Sequence, residues 1–194
     1  YVLPNLRVQN ADLKIELLSL NNLEQMQAIK KGELDITFTR HNFHNDEIES
    51  KFVLREPLIF LLPKDHPLAK YERIPVKALN GIDFIIPAEE QSSTLHNAIL
   101  DFAKSQGIEF NIVQKADNIL FNINSIGMGL GCTILPGYIA PLTMNNTVIR
   151  PLDVELPNLD LYVSYRKNAP SPAVAKFIEL LTKVFYLDIN RSER

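Results

Sequence analysis

Residues 22–40, NLEQMQAIKKGELDITFTR, constrain the fold more than any other stretch, because they spell an amphipathic helix, a glycine stop and a strand ending in arginine. Leu23, Met26 and Ile29 fall on one helical face, and Gly32 is suited to a left-handed C-terminal cap. Leu34, Ile36 and Phe38 alternate with Asp35, Thr37 and Thr39, and Arg40 comes next on the apolar side. Residues 14–20 read as an earlier strand with Ile15, Leu17 and Ser19 on one face, so 13–40 predicts a strand, helix, strand unit that is parallel and right-handed. Ligands of such sheets lie outside the carboxyl ends of the strands, here near Asn22 and near Arg40.

A second unit of this kind follows. Residues 84–87 (FIIP) predict a buried strand, and Leu95, Ile99 and Phe102 have helical spacing up to Gly107. Ser92, Ser93 or Thr94 is expected to cap that helix, where free N–H groups and the positive dipole end suit a carboxylate. Phe110, Ile112 and Val113 suggest a strand, Asp117 or Asn118 a cap, and Ile119, Leu120, Ile123 and Ile126 a further helix ending at the glycines of GMGLG, residues 127–131. Strand CTILP comes next at 132–136, and residues 172–187 form a last helix through Phe177, Leu180, Leu181 and Val184. The runs LIFLL at 58–62 and LYVSYR at 161–166 carry the chain between the two units. The expected organisation is two Rossmann-like α/β lobes joined by a two-strand hinge, with 1–57 and 159–194 in lobe I and 58–158 in lobe II, and ligand between Arg40 and Ser92–Thr94.

Several function classes are set aside by chemistry. A net charge of −3 with no basic run longer than Lys30-Lys31 argues against nucleic-acid binding by this segment. No apolar run reaches the ~20 residues of a membrane span. Residues 1–6 (YVLPNL) read as the first turns of a helix whose preceding strand lies outside this sequence, so the lack of a leader says little. Cys132, the lone cysteine, fits a reducing, cytoplasmic setting and reads as a small core residue. His41, His44, His66 and His96 lack metal-ligand spacing, and GMGLG precedes a strand and lacks the lysine of a phosphate loop. No nucleophile elbow, paired carboxylates or cofactor fingerprint is present, so neither catalysis nor a cofactor is expected.

Three runs together carry a family resemblance: KKGELDITFTR at 30–40, REPLIFLLPKDHPLA at 55–69 and GMGLGCTILP at 127–136. They resemble the effector-binding domain of LysR-type transcriptional regulators. Within that family VLPNLR at 2–7, the ELDxxxxRH pattern through His41, NIVQKADNIL at 111–120 and LPGY at 135–138 are most similar to activators of phenylpropionate and cinnamate catabolism. The resemblance implies a type 2 periplasmic-binding-protein-like fold, a small aromatic carboxylate inducer in the inter-lobe cleft, and control of transcription. It also implies a homodimer or tetramer and DNA contact only through an N-terminal winged helix-turn-helix absent from this sequence. Antiparallel pairing of subunits through a helix of each lobe would map to 22–31 and 118–126. The implied ligand-binding residues are Asn22, Arg40, His41, Gln91, Ser92, Ser93 and Thr94. A periplasmic solute-binding protein of an uptake system is the alternative on this fold. A prephenate dehydratase-like enzyme would require a threonine-centred catalytic motif, which the sequence lacks.

Overall fold

In the computed structural model, which describes residues 2–9, 12–90, 92–143, 145–168 and 170–192, contacts divide the chain into two units. Unit 1 is Tyr1–Leu54 with Asp160–Arg194, and unit 2 is Arg55–Leu159. Strands β2 (Ile48–Pro63) and β7 (Asn158–Arg166) carry the chain from one unit to the other. Among the described residues, no helix is long and apolar enough to cross a membrane.

Unit 1 holds helices α1 (Val2–Gln9), α2 (Asn22–Lys31) and α5 (Pro172–Ser192) with strand β1 (Ile36–Thr39). Gly32 ends α2 at φ 77°, in the left-handed region that glycine enters without Cβ strain. Four expectations fail here. The segment 14–20 forms no strand, because an alternating pattern becomes one only beside a ladder partner and the described residues supply none. β1 therefore lies not in a parallel unit but antiparallel to β7, with Ile36 opposite Tyr165 and Thr39 opposite Tyr162. The buried face of β1 is also the other one: Thr37 and Thr39 are inside, whereas Phe38 is 40% exposed and meets Phe177 of α5 edge-on. Ile36 is half-buried and Phe38 rests partly exposed against α5, so apolar alternation does not mark the inner face of β1. On α2 only Ile29 is buried, and Leu23, expected on the packed face, is 62% exposed.

Unit 2 is built on strand β3 (Asp83–Pro87), whose Phe84, Ile85 and Ile86 are buried on both faces. β3 pairs in parallel with β4 (Asn111–Ala116), and on its other side with Cys132, through Cys132 N–H to the Asp83 carbonyl (2.8 Å) and Ile85 N–H to the Cys132 carbonyl (2.9 Å). β5 (Thr133–Pro136) then runs antiparallel to the second half of β2, which pairs on its far edge with β6 (Thr147–Arg150). Helix α3 (Ser93–Gln106) links β3 to β4, and α4 (Ile119–Gly127) links β4 to β5. Asn118 caps α4 by accepting from the Phe121 N–H, as expected. Leu120 and Phe121 on the outer face of α4 are 63% and 45% exposed, and no residue of this helix is ionisable.

Gly131 makes the β3 to β5 approach possible, since a Cβ there would lie 2.8 Å from the Asp83 carbonyl oxygen. That neighbour is backbone held in the sheet and cannot swing aside. Gly131→Ala is therefore expected to cost about 1–3 kcal/mol, as overpacking of a close-packed interior does, read as a lower denaturant midpoint.

Candidate functional site

Each unit positions its own candidate residues through short-range consequences of its fold. In unit 2, the step from β3 through α3 to β4 moves one way across the sheet, and the step from β4 through α4 to β5 returns past β3. Right-handed crossovers then put α3 and α4 on opposite faces, so the carboxyl ends of β3 and β5 flank a topological switch point. After β3 come Ala88, Glu89 and Glu90 and then Ser92, Ser93 and Thr94 at the start of α3. After β5 come Gly137 and Tyr138.

The α3 N-terminus differs chemically from that of α2. Ser92 occupies the N-cap position, but its side chain makes no cap hydrogen bond, and the first turn contains no acidic residue. Of the three hydroxyls expected to cap this helix, Ser92 stands at the N-cap, at φ −153° and ψ 78°, and does not serve. Ser92, Ser93 and Thr94 are half-buried, while Glu89 and Glu90 of the preceding turn are exposed. Gln91 lies outside the described residues.

At α2 the cap is already complete. Asn21 is the N-cap: its side chain accepts from the Glu24 N–H (3.0 Å), and Glu24 accepts from the Asn21 N–H (2.8 Å). This capping box places a carboxylate of the protein at the helix start, leaving Asn22 as the first helical residue, half-buried. Gln25 then ties the parts of unit 1 together, donating to the Leu20 carbonyl (2.7 Å) and accepting from the buried Thr37 hydroxyl of β1. The Thr39 hydroxyl donates to the His41 carbonyl (2.6 Å), clasping the bend that has Arg40 at its centre. Arg40 and His41 are both half-buried, and the His41 ring stacks on Phe43 with centroids 6.2 Å apart.

Sequence reasoning missed the far wall of the switch point. The Tyr138 N–H donates to Glu56 Oε1 (2.9 Å), and Gly137 is crowded by the Pro57 carbonyl, so a carboxylate and a half-exposed aromatic ring stand together beyond β5. The LPGY run shows the strand end, but the pairing of Leu58 with Pro136 that brings Glu56 there spans a separation no local pattern reports.

Among the described residues, no group of three or more His, Cys, Asp and Glu side chains could hold a metal ion. Asn122 of α4 is buried with its Oδ1 unpaired, while its Nδ2 makes only a long 3.4 Å bond to the Thr133 hydroxyl. The Cys132 thiol is fully buried, and burial, followed by the charge of Asp83, pushes it up to about 12.

The family model described as LysR substrate binding domain matches residues 1–185. The Hca operon transcriptional activator HcaR of Escherichia coli (strain K12) is 36% identical over 180 residues, covering 93% of this chain and 61% of that protein. The HTH-type transcriptional regulator AlsR of Bacillus subtilis (strain 168) is 27% identical over 87% of this chain and 56% of its own. The chain thus spans about three fifths of the length of the curated relatives it matches. In structure it is similar to the Synechocystis PCC6803 CcmR regulatory domain in complex with 2-PG, with TM-score 0.82 and 18% identity over 95% of this chain and 89% of that one. It is similar also to the BenM effector binding domain with its effector benzoate, with TM-score 0.81 and 17% identity over 96% and 85%. The fold is that of LysR effector-binding domains, the type 2 periplasmic-binding-protein-like fold.

One chemical consequence of the site geometry is directly measurable. A thiol this buried and this weakly acidic is not a nucleophile in the native state, so Cys132 is expected to react with a disulfide reagent at pH 8 only after unfolding. Stoichiometric labelling of the native chain would contradict its placement.

Proposed function

This chain belongs to the LysR substrate-binding domain family, and we propose that its ligand is a small aromatic carboxylate acting as an inducer. The observation that carries this reading is the contrast between two helix starts: α2 is neutralised by Glu24, and α3 has neither a side-chain cap nor an acidic first turn. An anion is worth about 0.3–1 kcal/mol at such a terminus, and up to ~2 where partly buried, before its hydrogen bonds are counted. The carboxylate is assigned to the donors at Ser92, Ser93 and Thr94 with Gln91 in unit 2, and Arg40, His41 and Asn22 are assigned to ligand binding in unit 1. Glu56, which accepts from the Tyr138 N–H, disfavours the carboxylate at the β5 end. The sequence likeness to activators of phenylpropionate and cinnamate catabolism supports the aromatic part.

In the intact protein, we propose, inducer binding in the cytoplasm shifts an equilibrium between two arrangements of the regulator, by no more than its differential affinity for them. Self-association into dimers or tetramers is assigned to the apolar outer face of α4, with Leu120 and Phe121, packing on α2 of another copy. DNA is assigned to a winged helix-turn-helix outside this segment. The family and the curated relatives named above are those of transcriptional regulators, which removes both the solute-uptake and the enzyme readings.

Calorimetric titration with 3-phenylpropionate, cinnamate and benzoate tests the assignment. One acid should bind, and Arg40→Ala should weaken it about 10- to 100-fold, the size of a lost charge-assisted hydrogen bond. An unchanged Kd in a folded Arg40→Ala chain removes Arg40 from the site, and binding of none of the acids removes the aromatic-carboxylate class.

A further inference from the structure

His96 is the one buried ionisable side chain of α3, 8% exposed, and no role in ligand contact is assigned to it above. It is the fourth residue of the helix, and helical side chains lean back toward the N-terminus. Its Nδ1 lies 2.8 Å from the carbonyl oxygen of Pro87, the last residue of β3. A carbonyl only accepts, so Nδ1 is the donor of this bond. The ladder with β4 closes with the Ala88 N–H donating to the Ala116 carbonyl (2.7 Å), and the Pro87 carbonyl turns to the imidazole.

The turn between β3 and α3 is therefore closed by three successive links. Ala88 N–H is held by Ala116, Ser92 N–H by the Ala88 carbonyl (3.2 Å) and His96 N–H by the Ser92 carbonyl (2.9 Å). The imidazole spans the same turn from the other side, joining its first and last backbone groups. We infer that His96 is a positioning residue: its Nδ1–H bond to Pro87 fixes the β3–α3 turn and so holds the first-turn donors of α3 in the geometry that receives a ligand carboxylate. The ligand part of this inference rests on the function proposed above, and the turn-fixing part does not.

Three substitutions separate the bond from simple packing. His96→Asn puts an amide donor where Nδ1 stands; His96→Gln puts it where Nε2 stands, away from Pro87; His96→Phe keeps ring volume without a donor. The readouts on the purified chain are hydrogen exchange at the Ala88 and Ser92 amides, normalised to β4 and α4, and the Kd for the acid that binds the parent. Gln and Phe variants should exchange at both amides about 10-fold faster and bind about 10-fold more weakly, as loss of a bond worth about 1.4 kcal/mol gives, with Asn within about 3-fold of the parent. Parental exchange at Ala88 and Ser92 in the Gln or Phe variant overturns the inference, as does an Asn variant no better than Gln. A fall in thermal stability with unchanged Kd and exchange would leave His96 a core residue only. Should the parent bind none of the acids, the ligand assignment fails while the exchange comparison still decides the role of His96; the Gln variant serves if the Phe variant does not fold.

Discussion

The parallel pairing of β3 with β4 on one side and with the entry to β5 on the other is the constraint on which unit 2 depends. A strand buried on both faces must be paired along both edges, since its N–H and C=O groups meet no water. On the β5 side this requires a residue without a Cβ beside the Asp83 carbonyl, which Gly131 supplies. The same pairing buries Cys132 and sets Thr133 where its hydroxyl donates to the Ile85 carbonyl (2.8 Å). The ends of β3 and β5, and every group placed beyond them, follow from it.

Unit 1 is organised by a different means. Gln25 and Thr37 are polar groups facing one another in a part-buried setting, and their bond costs nothing only while both partners are present. Through it the segment leading to α2, the helix itself and β1 share one register. The bend at Arg40 is likewise held by a threonine, the Thr39 hydroxyl donating to the His41 carbonyl.

What could be read from the sequence follows the range of the interactions. α3, α4 and the Gly32 and Gly107 stops were legible because a 3.6-residue period and a left-handed cap are local facts. β1 is legible but with its faces exchanged, since Thr37 is buried through its bond to Gln25 while Phe38 stays 40% exposed against Phe177. The segment 14–20 alternates as a strand does, yet alternation is not a ladder. The start of α2 is a local fact of the same kind: Asn21 followed three residues later by Glu24 is the capping-box signature, which shows that this helix start carries its own carboxylate. Glu56 beside Tyr138 was beyond reach, because it depends on the register of β2 against β5.

Helix α4 presents leucine and phenylalanine outward and carries no ionisable group along its length. Attraction between charges weakens as mobile ions crowd around them, but burial of apolar area has no such dependence and is strengthened by salts excluded from protein surfaces. Whatever this face grips, it grips as firmly in concentrated salt as in dilute buffer, under conditions that loosen a protein's hold on a phosphate backbone.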